Sequence, residues 1–254
     1  MRFADVDQFM LPGGPLRVIA HRGCSAVRPE NTLASFEKAI EIGADMIECD
    51  VQLSLDRAAV VIHDETLERT TNGRGPVAHQ PLVALRQLDA GGWFASEYAG
   101  ERVPLLAEVL DTAKERILAN VELKGERASA RALAEVVVRE IRRARMERQT
   151  VLSSFEPAFL EAARQLAPEV TRASLFNREK HEGMAPAVIL EEVGAMSLNL
   201  SDEEVSPGIV RECRAHGAAV AVYTVNDRER ASDLFRMGVA AVFTDCPDLM
   251  LGVQ

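Results

Sequence analysis

Asp45-Met46-Ile47-Glu48-Cys49-Asp50-Val51 reads as a β-strand with two different faces. Side chains along a strand alternate, so Glu48 and Asp50 share one side while Ile47, Cys49 and Val51 share the other. Similar short runs recur at 16–20, 118–123, 150–155, 171–175, 195–198, 219–225 and 241–244, which makes eight with 45–51. Most are followed by a segment of helical period. Leu33, Phe36 and Ile40 repeat after Asn31, the expected N-cap, and Gly43 supplies the stop. Leu133, Val136, Val137 and Ile141 form an apolar stripe opposite Arg131, Glu135, Arg139 and Arg142, and Pro157 opens another helix at its first position. Strands alternating with helices imply parallel pairing through right-handed crossovers. Eight such units close an α/β TIM (β/α)8 barrel, with an open doubly wound sheet as the alternative.

One stretch breaks the alternation. Residues 59–63 are strand-like, yet no helix separates them from Val51, so a tight turn at Asp56 and Arg57 folds them back as an antiparallel hairpin arm. That register sets His63 directly opposite Asp50. After this second strand and its arm comes a small insertion, about 66–104, holding Thr70, Thr71, Asn72, Gly73, Gly75, Gly91, Gly92 and the sole tryptophan, Trp93. Connections this long are usually either functional or poorly ordered, and this one reads as a cover over the site. No repeat or interdomain linker interrupts 1–254, which reads as a single domain.

Lys and Arg number 29 against 39 Asp and Glu, a net charge of −10, which excludes broad phosphate-backbone binding and so makes nucleic acid an unexpected partner. No apolar run approaches the roughly 20 residues that span a bilayer, and residues 1–14 lack a basic and apolar leader pattern. The expectation is a cytoplasmic protein without stable membrane insertion, a monomer or homodimer. The four cysteines lack C-x-x-C spacing and read as reduced thiols.

The chemistry gathers at strand ends. Glu122 and Lys124 repeat the two-residue spacing on the next barrel strand, His21 and Arg22 follow the first, and His63 ends the arm. Carboxylates of Glu48, Asp50 and Glu122 converging at a rim would repel by about 4 kcal/mol per pair at ~4 Å and an effective dielectric near ~20. One divalent cation relieves that repulsion, and an all-oxygen donor set favours Mg²⁺, Ca²⁺ or Mn²⁺ over Zn²⁺. An ion network with Lys124 and Arg22 is the alternative, but two cations leave it incomplete. His21 and His63 are the natural acid and base. Arg22 and Lys124 suit an anionic group, the arginine fork matching phosphate oxygens. Phe155, Tyr223 and Trp93 stand as substrate-pocket candidates, with Ser154 and Asn226 behind them. His79, His181 and His216 read as solvated.

These residues fall in a pattern. His21-Arg22-Gly23, Pro29-Glu30-Asn31-Thr32, Glu48-Cys49-Asp50-Val51, His63-Asp64 with Leu67, Arg69, Thr70 and Gly73, Glu122-Leu123-Lys124, Ser154-Phe155 and Thr244-Asp245 occur in this order over almost the whole chain. The chain thereby resembles the glycerophosphodiester phosphodiesterase family. The resemblance implies a barrel hydrolase of lipid and glycerol metabolism that cleaves a small glycerophosphodiester to sn-glycerol 3-phosphate and an alcohol, using a divalent cation. By the same resemblance, Glu48, Asp50 and Glu122 look like metal ligands, His21 and His63 like the acid–base pair, and Arg22 and Lys124 like phosphate contacts, with no departure at these positions. The attacker is either the glycerol 2-hydroxyl, through a cyclic phosphate, or water. Two rival readings are a lysophospholipase D-type phosphodiesterase and a non-catalytic phosphodiester-binding barrel.

Overall fold

The runs rich in Val, Ile, Leu and Ala do form strands, in a computed structural model that describes residues 5–6, 16–179 and 181–253. In chain order they are β1 (Arg17–Ala20), β2 (Met46–Leu53), β3 (Ala59–Val61), β4 (Leu118–Leu123), β5 (Thr150–Ser154), β6 (Thr171–Leu175), β7 (Ser197–Ser201), β8 (Ala219–Tyr223) and β9 (Ala241–Thr244). All except β3 pair in parallel, and β1 joins both β9 and β2, with Ile19 opposite Met46 and Ala20 opposite Ile47. That last pairing closes the sheet, so the barrel holds and the open sheet does not. Among the described residues no helix is long and apolar enough to cross a membrane. The expectation of no leader within 1–14 falls, apart from Asp5 and Val6, outside the described residues.

The strand period of two sorts β2 and β4 into an inner and an outer set. Met46 and Leu118 meet Ile19, Val151, Ala173, Ala219 and Phe243 in the barrel interior, with Val6 among them. The outward Ile47, Cys49, Val51, Val121 and Leu123 pack against helices. These include α1 (Leu33–Ile42), α2 (Leu106–Ala113), α3 (Ala130–Ala144) and α4 (Pro157–Leu166), followed by α5 (Pro186–Val193), α6 (Pro207–Ala215), α7 (Arg228–Met237) and α8 (Pro247–Met250). The stripe on α3, Leu133, Val136, Val137 and Ile141, is buried as its spacing requires. Inward residues nearer the strand ends cannot all be apolar if the rim is to do chemistry. There β2 and β4 offer Glu48, Asp50, Asn120 and Glu122 instead.

Three local expectations are corrected. The hairpin register is shifted by one residue: Val51 faces Val61 and Leu53 faces Ala59, which makes Ile62, not His63, the counterpart of Asp50. The connection uses Leu55, Asp56 and Arg57, with Arg57 in the left-handed region at φ 62°, and Ser54 N–H donates to the Ala58 carbonyl across it. A three-residue loop has an odd count, which moves every pairing by one. At α1 the cap is Thr32, whose hydroxyl accepts from Ser35 N–H, while Asn31 sits left-handed at φ 57° outside the helix. β7 begins at Ser197 because Gly194 caps α5 at φ 60° and Ala195 N–H still bonds back to the Leu190 carbonyl.

The insertion has its own small core. Leu67, Val77, Leu85, Ala90 and Val103 pack with Val60 and Ile62 of the arm. It is thereby fastened to the face of the hairpin that carries Gln52 and Asp50, opposite the face that Val51 and Val61 turn to the helices.

Candidate active site

At the rim, one oxygen each from Glu48, Asp50 and Glu122 lies within 4.8 Å of the other two. Glu48 and Asp50 are 2% and 1% exposed, so neither charge is relieved by water. Arg22 approaches them from the turn after β1. Its backbone N–H donates to Glu48 Oε2 at 2.8 Å, and its Nε lies 3.4 Å from Asp50 Oδ2. The turn holds Arg22 at φ 55° and Gly23 at φ 86°, and a Cβ on Gly23 would come within 2.7 Å of the Ser35 backbone. Only glycine lets α1 approach closely enough to aim that amide. Lys124, just past β4, lies 3.2 Å from Asp50 Oδ1 and 3.0 Å from Glu122 Oε1.

The cations lie toward Asp50, and this divides the carboxylates. Burial would raise the Asp50 carboxyl, but Lys124 and Arg22, with His63 beyond them, outweigh it and hold it down to about 2. Burial pushes Glu48 well up, and the Asp50 and Glu122 charges add to it. Glu122 is raised by burial and then by Asp50. Glu48 Oε1 is buried without a hydrogen-bond partner among the described residues. A buried, unpartnered carboxylate oxygen beside two further carboxylates fits a hard divalent cation. The ion network with Lys124 and Arg22 also exists, yet it leaves that oxygen unsatisfied.

The two histidines are held alike at one nitrogen and differently beyond it. His21 Nδ1 is 2.8 Å from Asp245 Oδ1, and Asp245 also accepts from Ser25 Oγ and Asn226 Nδ2. Burial would raise Asp245, but the bonds from His21 and Asn226 bring it to about 2. His63 Nδ1 is 2.6 Å from Asp64 Oδ1. Asp64 is held far below the carboxylate range, first by hydrogen bonds from Arg69 and then by His63, while burial lowers His63 itself. Arg69 donates through Nε and Nη2 to Asp64 and through Nη1 and Nη2 to Glu30, and Glu30 accepts from Arg22 Nη1. Although the register misses Asp50, His63 still reaches the rim. The arm ends at Val61, and the Gln52 amide spans the carbonyls of Ile62, His63 and Asp64 at 2.7–3.1 Å.

His21, Arg22, Glu48, His63, Glu122 and Lys124 line one cavity of about 170 Å³, closed on the far side by Phe155 and Tyr223. These two rings meet edge to face at 5.9 Å and also border a wider outer depression of about 1050 Å³, walled by Phe176, Glu182, Glu203 and Glu204. Trp93 does not join them. Its indole donates to the Ala90 carbonyl and its ring meets Phe94 edge to face, 41% exposed within the insertion, which contributes no residue to the cavity wall. The insertion is a flank of the site, not its cover. His181 is buried, stacked on Phe176 at 5.3 Å, not solvated.

Several supporting residues escaped the sequence reading. Asn31, taken for a cap, donates to Asp50 Oδ2 at 2.8 Å. Asp64 and Asp245 hold the histidines, and a signal existed for one of them: an aspartate directly after His63 at the end of the arm. Asn226, a weaker pocket candidate from the sequence, instead supports the histidine's partner: it donates to Asp245 and accepts from Thr244. Nothing in residue spacing joins Glu30 to Arg69.

The glycerophosphoryl diester phosphodiesterase family matches residues 21–249. A glycerophosphodiester phosphodiesterase of Caldanaerobacter subterraneus is 36% identical over 237 residues, covering 93% of this chain and 96% of that protein. Among solved structures, an Oleispira antarctica phosphodiesterase in complex with the product sn-glycerol-3-phosphate superposes with a TM-score of 0.89 at 33% identity, covering 96% of both chains. A glycerophosphodiester phosphodiesterase from Agrobacterium tumefaciens gives 0.81 at 32% identity, covering 93% of this chain and 99% of that one.

Proposed function

The chain belongs to the glycerophosphoryl diester phosphodiesterase family, and from that premise we propose that it hydrolyses glycerophosphodiesters to sn-glycerol 3-phosphate and an alcohol, using one divalent cation and two histidines. The observation that carries the reading is the single cavity shared by His21, Arg22, Glu48, His63, Glu122 and Lys124. Glu48, Asp50 and Glu122 would hold the cation, Mg²⁺, Ca²⁺ or Mn²⁺. When bound, it supplies positive charge against which the phosphodiester is oriented and the charge building on its oxygens is stabilised.

The protein's own groups do the rest. Arg22 and Lys124 bind phosphoryl oxygens from the side where Asp50 keeps both cations in place. Each histidine has Nδ1 occupied by a carboxylate, which leaves Nε2 for the substrate. One imidazole takes the proton from the attacking hydroxyl, and the other gives a proton to the departing alcohol oxygen. Detection of a cyclic glycerol phosphate separates attack by the 2-hydroxyl from attack by water. A lysophospholipase D-type substrate needs an apolar entrance, and Glu182, Glu203 and Glu204 interrupt the outer depression that Phe176 and Met184 also line, so it stands as the second reading. A barrel that only binds has no use for two carboxylate-oriented histidines. From composition we further propose one domain, acting in the cytoplasm as a monomer or homodimer on a small-molecule substrate.

The test is release of sn-glycerol 3-phosphate from glycerophosphocholine and glycerophosphoglycerol after chelation, then with Mg²⁺, Ca²⁺ or Mn²⁺ restored separately. Activity is expected to vanish on chelation and return with at least one ion. Full activity in the chelated protein breaks the metal assignment, and no product under any condition breaks the function. Glu48→Gln should weaken cation binding measured by calorimetry.

A further inference from the structure

The strongest unassigned feature is one side chain of the insertion. Arg69 Nη2 donates to Glu30 Oε1 at 2.8 Å and to Asp64 Oδ1 at 2.8 Å. These are the same two oxygens that accept from Arg22 Nη1 at 2.9 Å and meet His63 Nδ1 at 2.6 Å. A single nitrogen therefore touches both atoms that orient the phosphate-binding arginine and one of the acid–base histidines. Arg69 Nε and Nη1 add bonds of 2.6 Å to Asp64 Oδ2 and 2.7 Å to Glu30 Oε2, so both carboxylates are gripped by a fork.

We infer that Arg69 is a positioning residue that sets His63 and Arg22 relative to each other, which rests on the roles given to those two residues above. The three partners come from separate segments: Glu30 from the turn after β1, Asp64 from the exit of the arm, and Arg69 from the insertion. Among the described residues, Arg69 is the side chain that bonds Asp64 and Glu30 at once; the other bonds of Asp64 run to His63 and Gln52. Stability is a poor reason for the arrangement, because Arg69 is 43% exposed and exposed ion pairs contribute little to folding. Geometry is a better one. A shift of about 1 Å in a reacting group costs on the order of 10²-fold in rate. Lysine cannot replace the fork, since an ammonium is a point charge with no planar pair of donors.

The experiment compares Asp64→Asn, Glu30→Gln and Arg69→Ala by kcat for glycerophosphocholine and by the affinity of sn-glycerol 3-phosphate as a competitive inhibitor. Asp64→Asn should lower kcat and leave inhibitor affinity unchanged, and Glu30→Gln should mainly weaken the inhibitor. Arg69→Ala should do both, with kcat down on the order of 10- to 100-fold. Millimolar guanidinium should restore part of each loss in Arg69→Ala and do nothing for wild type. Unchanged kcat and affinity in Arg69→Ala overturn the inference, and so do losses that track a lower melting temperature without response to guanidinium. If that variant does not fold, Arg69→Lys carries the same comparison, and wild-type values in it are equally fatal. If the wild-type protein turns over no glycerophosphodiester, the functional reading is what fails. The positioning claim is then judged from product affinity measured by calorimetry, and equal values for wild type and Arg69→Ala end it.

Discussion

The two histidines face one cavity from two different supports. His21 leans on Asp245, which stands directly after β9 and is otherwise held by neutral donors, Ser25 and Asn226. His63 leans on Asp64, whose charge is already matched by Arg69 from the insertion. On the frame side, a carboxylate with no Lys or Arg partner among the described residues keeps its full charge for the imidazole. On the arm side, the carboxylate is largely neutralised and serves to fix an angle. The proposed reaction would thus draw on two kinds of second partner, an electrostatic one and a geometric one.

The largest expected effect treats both sides alike: His21→Ala and His63→Ala should each reduce kcat by about 10²- to 10⁴-fold with the fold intact by circular dichroism. Turnover near wild type in either removes that histidine from the chemistry and breaks the pairing. The asymmetry shows next. Asp245→Asn should reduce kcat on the order of 10²-fold and Asp64→Asn about tenfold, because only the first removes a charge not already cancelled. Equal losses would mean that the two supports do the same work.

A smaller difference concerns acid. The folded Asp245 carboxyl, held at about 2, lies below its ordinary value, so its stabilising contribution is complete above about pH 4 and is lost as pH falls toward 2. With the Asp245 side chain 31% exposed, that contribution is no more than about 2 kcal/mol. Melting temperature followed from pH 5 to pH 2 should fall more steeply in wild type than in Asp245→Asn, and parallel curves would show that the carboxylate gains nothing from its partners. The smallest effect is Trp93→Ala, expected to change kcat/KM less than about twofold because the ring lies off the cavity wall. A tenfold loss would return the insertion to the role of a cover.

Whatever follows strict periodicity was legible in the chain. The parity of Glu48 with Asp50 is forced by a strand, and the eight strands alternating with helices point to closure. What depends on a single dihedral was not legible. Arg57 takes a left-handed conformation without the Gly or Asn that usually announces it, and one residue in that loop decides what faces Asp50. Asn31 favours helix caps by chemistry, but at φ 57° its amide turns to Asp50 and leaves the cap to Thr32. Arg69 lies in a segment with no period at all, so its reach to Glu30, 39 positions away, could only be seen in three dimensions. The hydrogen bond from Trp93 to Ala90, which ties the ring into the insertion, was invisible for the same reason.

The outer depression, bounded by residues of the stretches 176–179, 181–184 and 201–204, shares Phe155 and Tyr223 alone, among the described residues, with the inner cavity. None of the carboxylates, histidines or cations assigned to catalysis lies on those stretches. On the function proposed above, choice of alcohol and cleavage of the ester would sit on separable pieces of chain, and grafting those stretches from a relative should change which alcohol is released while leaving the catalytic groups untouched.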